Sequence, residues 1–317
     1  MRAMALFRRL AVASTLATFA LVTLGGLVRA TKSGLGCGTD WPQCSGTLVP
    51  ELENRALVIE YSHRVAAGIV VVLIGALAVV AWRHHRRTPA LLWASVGALA
   101  LVAFQALLGA VVVKLELEAA SVVMHLVTAM ALVAVLVFVT INAYRSEDRL
   151  HTTSDAAVAR RASVAAGAVL VVLAVGSYVS GTPGAGLAFG DWPLMNGALV
   201  PDLSTEAAAL HFAHRAVAAL SGVVVVIVAV GVIRRRADLP LQARLAWIGA
   251  AAYVVEVAIG AFNVWSELNA AAVTVHLFVG SVLWATLVGV AIASRPAPVA
   301  AREANFTRRK PALDPVR

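Results

Sequence analysis

Four histidines stand inside long apolar stretches of this chain, and they form two matched pairs: His63 with His125, and His214 with His276. An imidazole in hydrocarbon is costly unless something holds it, so each is a candidate functional group. His63 lies about five residues into one apolar stretch and His125 about six into another, and both stretches run the same way across. At a rise of about 1.5 Å per residue, the two rings sit at nearly one depth. Two opposed imidazoles at level depth in a four-helix bundle are suited to holding a haem iron between axial ligands. Zinc fits less well, because two histidines without further ligands at that depth make a poor tetrahedral site. A lone membrane histidine reads as an interhelical hydrogen bond. Four in two matched pairs favour ligation.

Other polar residues gather around these pairs. Arg64 and Arg215 directly follow His63 and His214. A guanidinium near the interface suits a haem propionate by bidentate pairing, and also suits a snorkelling role that sets span depth. Glu60 precedes His63 by one helical turn, so it shares that face and could handle protons at a pocket edge; an ion pair with Arg64 is the simpler alternative. Glu256 lies deep in a later stretch, where it either acts or is hydrogen-bonded to a neighbouring helix. Cys37 and Cys44 are the only cysteines, flanking a short turn-rich segment, and read as a disulfide that staples one loop. Trp41 and Trp192 fit an interfacial aromatic belt.

The elements that must position these residues repeat. At an offset of 151, Asp40-Trp41-Pro42 becomes Asp191-Trp192-Pro193, His63-Arg64 becomes His214-Arg215, Gly109-Ala110 becomes Gly260-Ala261, and His125-Leu126 becomes His276-Leu277. The offset runs without a gap across nearly the whole chain, so the chain is a fused duplication. Hydrophobic residues make up 60% and charged residues 14%, which marks a membrane protein. Eight stretches are long enough to cross a bilayer, near 10–29, 58–82, 89–113, 119–143, 162–182, 208–233, 241–264 and 270–294. The expected fold is all-α: eight transmembrane helices as two tandem, pseudo-symmetric four-helix bundles of parallel orientation. We divide the chain into an N-terminal bundle (1–143), a cytoplasmic linker (144–161), a C-terminal bundle (162–294) and a disordered tail (295–317).

The net charge of +9 could be misread as a nucleic-acid signal. Its distribution says otherwise. Outside one side of the eight-span arrangement, the only basic residues are Arg29, Lys32, Arg55, Lys114, Arg64 and Arg215. By the positive-inside rule both termini are cytoplasmic, and the histidine pairs lie near the external face. The N-terminal apolar run resembles a secretory signal, but it maps onto the fifth span and is a needed part of the repeat.

The breaks in the repeat are as informative as its matches. Glu60 is mirrored by His211, Glu256 by Gln105, and Cys37 and Cys44 by Ala188 and Met195. The first half therefore carries a candidate acid/base and a stapled loop that the second lacks. This points to a reacting site in the N-terminal half and a cofactor site in the C-terminal half.

The run Glu60-Tyr61-Ser62-His63-Arg64, the loop Gly36-Cys37-Gly38-Thr39-Asp40-Trp41-Pro42-Gln43-Cys44-Ser45-Gly46 and the echo Asp191-Trp192-Pro193-Leu194-Met195-Asn196-Gly197 resemble the haem A synthase family over essentially the whole chain. The resemblance implies a membrane oxidoreductase that converts a methyl of haem O to the formyl of haem A by successive hydroxylation and loss of water. It also implies that the product serves terminal cytochrome oxidases. Carried over by residue, Glu60, His63 and His125 belong to the reacting site that takes haem O, and His214 and His276 ligate a b-type haem cofactor. Cys37 and Cys44 match the family's first-loop pair; a second pair found in some members is absent here. Implied partners are haem O synthase, oxidase assembly factors and an electron donor, and a homo-oligomer is compatible. A bacterial plasma membrane is the implied location. With both His63 and His125 on the substrate iron, either one ligand leaves or the iron relays electrons.

Two other classes use matched histidines. A di-haem b electron carrier would usually place its haems near opposite faces, whereas both pairs here share one. A haem transporter needs an alternating-access device that a parallel repeat with a stapled loop does not offer. Haem extraction separates the three: haem b with haem O or A supports the synthase, and haem b alone at two per chain supports the carrier.

Overall fold

The computed structural model describes residues 2–52, 54–145, 150 and 152–298. The linker residues 146–149 and 151, and the tail from 299, lie outside the described residues. Among those described there are eight α-helices: α1 (Arg2–Ala30), α2 (Arg55–His84), α3 (Pro89–Lys114), α4 (Ala119–Arg145), α5 (Ala156–Gly181), α6 (Glu206–Ile233), α7 (Pro240–Trp265) and α8 (Ala270–Ala293). Each is long and apolar enough to cross a membrane. This is the all-helical, eight-span chain expected from the apolar stretches.

The boundaries follow local chemistry. Asn54, Asp155, Thr205 and Asn269 cap α2, α5, α6 and α8, each side chain accepting from a backbone N–H of the first turn. Pro89 and Pro240 open α3 and α7, where a missing N–H costs nothing. The helix α5 begins at Ala156, six residues before the apolar stretch at 162. The Asp155 cap lets the helix run outward through Arg160 and Arg161, so helix and apolar span are not the same segment. Between the described ends of α4 and α5 the connection is correspondingly short.

Helix bounds and loop geometry recur at the offset. The helix Pro89–Lys114 returns as Pro240–Trp265. The positive-φ residues Ser45, Glu116 and Leu117 return as Asn196, Glu267 and Leu268, and the bridge Cys44–Thr47 returns as Met195–Ala198. In the first half α1 packs on α2, α2 on α3, α3 on α4 and α4 on α1; α5 to α8 form the same ring. The halves meet through α1 with α8, α4 with α5 and α4 with α8. Buried apolar residues fill both rings: Phe7, Ile74, Leu77 and Leu136 in one, Met130, Val133, Val225 and Val290 along the other and the seam. Arg29 donates to the carbonyl of Ser180, its own counterpart in the repeat, at 3.0 Å, so this contact lies where the halves join.

A polar latch ties the opposite end, where α4 and α8 finish and α5 and α7 begin. Arg145 donates to the carbonyls of Ile292 and Arg295, and Gln242 to those of Thr153 and Ala293. Asp155 also pairs with Arg235 at 2.6 Å. The Val158 N–H first, and then Arg235, hold its carboxyl below the ordinary aspartate value. A group depressed on folding stabilises above its unfolded pKa and loses that contribution as pH falls. Asp155→Ala is expected to cost about 1 kcal/mol as a lost cap. Asp155→Asn should remove the part of the acid sensitivity that sets in below about pH 4. Thermal unfolding in detergent at pH 7 and pH 3.5 measures both.

Candidate functional site

His63 on α2 and His125 on α4 lie near enough for their charges to interact, as do His214 on α6 and His276 on α8. The structure therefore brings together the residues that the level-depth argument paired. Each ring also lies against a glycine on the helix before its own. A Cβ built on Gly25 would stand 3.3 Å from Cε1 of His63, and one on Gly109 would stand 3.3 Å from Cε1 of His125. In the second half the distances are 2.8 Å from Gly176 to His214 and 3.5 Å from Gly260 to His276. Sequence reasoning missed this role, although Gly25 and Gly176 carry the same 151 offset as the histidines.

The glycines explain how four rings fit edge-on against neighbouring helices. His214 occupies space that a side chain at Gly176 would fill, and His63 and His125 leave little room for one at Gly25 and Gly109. Among the described residues, the Nδ1 atoms of His63, His125 and His214 are buried without a protein partner. For a buried polar atom that is a cost of about 1–3 kcal/mol, which a structure sustains where function requires it. Two buried imidazoles with no competing protein acceptor, as in the pair His63 and His125, fit a haem held by two axial nitrogens.

Over the first pair sits the loop between α1 and α2. Cys37 and Cys44 form a disulfide, buried with Leu57 beneath the loop and Tyr61 beside it. Glu60 is buried, and both its oxygens are used. Oε2 accepts from the Cys37 N–H at 2.8 Å, and Oε1 accepts from Arg64 Nε at 3.2 Å and Nη2 at 2.5 Å. Arg64 Nη1 donates further to the carbonyls of Asp40 and Gln43, at 2.8 and 2.6 Å. The ion pair that was the simpler reading of Glu60 is present, and it belongs to a clamp between α2 and the disulfide loop.

The second loop is closed differently. Arg215 Nη1 reaches the carbonyls of Asp191 and Leu194, both at 3.0 Å, repeating the clamp. Its Nε donates to His211 Nε2 at 3.1 Å, where the first half has a carboxylate. Arg215 Nη2 is buried with no partner among the described residues, whereas Arg64 has every nitrogen engaged. In place of the disulfide, Phe189 and Met195 are buried against Ala208 and Phe212. Asp191 accepts from the Asn196 and Gly197 N–H groups at 2.6 and 2.8 Å, and those bonds, Gly197 first, hold its carboxyl below the ordinary value.

Glu256 on α7 lies with Oε2 against Nδ1 of His276 and Oε1 beside Gly280. Its mirror Gln105 donates instead to the backbone carbonyl of His125, at 2.9 Å.

An eight-helix membrane protein with two matched histidine pairs and an arginine-clamped loop in each half is the class defined by this geometry. The chain belongs to the COX15-CtaA family, described as cytochrome oxidase assembly protein, whose model matches residues 8–288. Relatives include the "Heme A synthase" of Shouchella clausii, 32% identical over 67% of this chain and 71% of that protein. That of Halalkalibacterium halodurans is 32% identical over 72% and 78%. That of Geobacillus kaustophilus is 27% identical over 95% and 96%.

The glycine contacts order a series of substitutions. Gly176→Ala, with Cβ at 2.8 Å, forces His214 to move; Gly25→Ala and Gly109→Ala require small shifts; Gly260→Ala, at 3.5 Å, is an ordinary contact. Haem retained per chain after purification should therefore fall in the order Gly260→Ala, then Gly25→Ala and Gly109→Ala, then Gly176→Ala. Equal retention in all four would show that the rings are not seated by these glycines.

Proposed function

We propose that this protein is a haem A synthase: it oxidises a methyl of haem O to the formyl group of haem A for a terminal oxidase. The observation that carries the reading is two matched histidine pairs built on one repeat, with an acid/base candidate beside one only. His63 and His125 hold the substrate haem O in the N-terminal bundle. His214 and His276 hold a b-type haem in the C-terminal bundle, and that group supplies one-electron chemistry when bound. Arg215 Nη2 is the guanidinium nitrogen free for a propionate, while Arg64 acts through the loop. The protein crosses the plasma membrane many times. Both termini lie in the cytoplasm and both pockets near the external face, a reading that the basic-residue distribution supports.

The residues of this chain then have distinct tasks. The histidines orient the porphyrin so that the reacting methyl stays fixed relative to Glu60. Glu60 accepts and returns protons at its carboxylate, and its bonds to Arg64 and Cys37 hold that carboxylate in place. The disulfide loop, joined to Glu60 through the Cys37 N–H, closes the pocket against water. The net change is a four-electron oxidation of CH3 to CHO. Dioxygen is the oxidant for two successive hydroxylations, each also taking two electrons and two protons from the electron donor and releasing one water. The resulting diol loses a further water to leave the formyl.

Haem O supply and product analysis test the function. Co-expression with a haem O synthase in cells without an endogenous haem A pathway should yield haem A, by extraction and chromatography. His63→Ala or His125→Ala should abolish it. Glu60→Gln should fold and load haem yet make less than about a tenth of the wild-type haem A, the loss expected when a general acid/base contributes roughly 10²–10⁴-fold. Haem A at the wild-type rate in that variant would mean that Glu60 serves only the loop clamp.

A further inference from the structure

Of the four histidines, His276 alone has a carboxylate against its Nδ1 among the described residues. Glu256 Oε2 makes that contact across from α7. The second oxygen lies where a side chain on α8 would stand: a Cβ built on Gly280 would be 2.6 Å from Oε1. Gly280 is one helical turn beyond His276, so a single carboxylate lies along the α8 surface from the ligand ring to the next turn. Glu256 is largely buried, with 12% of its side chain exposed.

The first half breaks both parts of this arrangement together. Glu256 is mirrored by Gln105, and Gly280 by Ala129. Gln105 donates its amide to the backbone carbonyl of His125 at 2.9 Å, and the Nδ1 of His125 has no partner among the described residues. A helix packing requirement alone would be met by the same residue in both halves. Instead, the glycine that admits a carboxylate accompanies the carboxylate, and the alanine accompanies the neutral amide.

The geometry points to Glu256 as a positioning residue that acts through His276 to lower the reduction potential of the C-terminal haem. The inference rests on the reading that His214 and His276 hold a haem. With Nδ1 against Glu256 Oε2, Nε2 is the nitrogen left for iron, and a proton on Nδ1 would face the carboxylate. Such a partner fixes the ring orientation and raises its basicity as a ligand. A more basic ligand with a negative charge behind it favours the ferric over the ferrous state. Hydrogen bonding around the axial ligand is one of the protein's levers on haem potential. The N-terminal pocket lacks the device, so its iron is not held in the ferric state by the same means. The two pockets thus differ in electronics as well as in proton handling.

The test is a potentiometric titration of the purified full-length protein in a His63→Ala, His125→Ala background, where the C-terminal pair is the sole bis-histidine site. Glu256→Gln should retain haem b and favour reduction by at least about tenfold, a rise of about 59 mV for a one-electron couple. Gly280→Ala keeps the charge but pushes the carboxylate from its seat, and should shift the potential in the same direction by a smaller amount. A shifted low-spin ferric EPR signal should accompany both, because the ligand field of His276 changes. Haem b bound at wild-type level with unchanged potential in Glu256→Gln overturns the inference and leaves the haem reading intact. Loss of haem from both variants, without a shift in any residual haem, makes Glu256 a packing residue and also overturns it. A parent protein that binds no haem b in this pocket overturns the haem reading itself.

Discussion

The constraint on which this structure depends is that an imidazole on one membrane helix must fit edge-on against the next. A helix surface has no room for a ring unless a residue at that level lacks a side chain. Glycines stand at four equivalent points: a Cβ would be 2.8 Å from the ring at Gly176, a tight 3.3 Å at Gly25 and Gly109, and 3.5 Å, an ordinary contact, at Gly260. Apolar packing further along the helices, from Leu77 and Leu136 in one ring and Val225 and Val290 in the other, holds the helices together. The helices position the histidines, and the glycines set their orientation.

On that common scaffold the two halves have exchanged one kind of polar partner for another. Glu60 with Arg64 became His211 with Arg215; the bond from arginine to the residue one turn before it survives, but the negative charge does not. Where the first half has a disulfide the second has Ala188 and a buried Met195, and there the aspartate common to both loops accepts two loop N–H groups. In the reverse direction, the neutral Gln105 in the first half corresponds to a carboxylate in the second. A carboxylate therefore stands at the loop edge beside one histidine pair and against a histidine of the other. That division suits a pocket that moves protons and a pocket that holds an electron carrier.

Much of this is legible in the sequence because hydropathy and duplication are both long-range signals. Eight apolar stretches mark the helices, and a gapless offset makes His63 equivalent to His214 and His125 to His276. The disulfide follows from an isolated cysteine pair in a turn-rich loop. Partner choice is less legible, because it depends on where side chains point between helices distant in sequence. Nothing in the spacing of Glu256 names His276, twenty residues on and across a helix crossing. From sequence Arg64 suits either a propionate or a snorkelling role; the structure commits its nitrogens to Glu60 and to two loop carbonyls. Gly25 and Gly176 are lost among the glycines of apolar helices, although their shared offset is a usable signal. The start of α5 escapes a hydropathy reading because a cap carries helix beyond the apolar span.

On the proposed reading, one repeat provides two haem sites that hold different haems. Identification of the haem lost on disabling each pocket tests this most directly. Purified His125→Ala should lose haem O and haem A while keeping haem b, and His276→Ala should lose haem b first. If the two variants lose the same haem in the same proportion, the pockets are equivalent and the assignment of substrate and cofactor to separate halves is wrong.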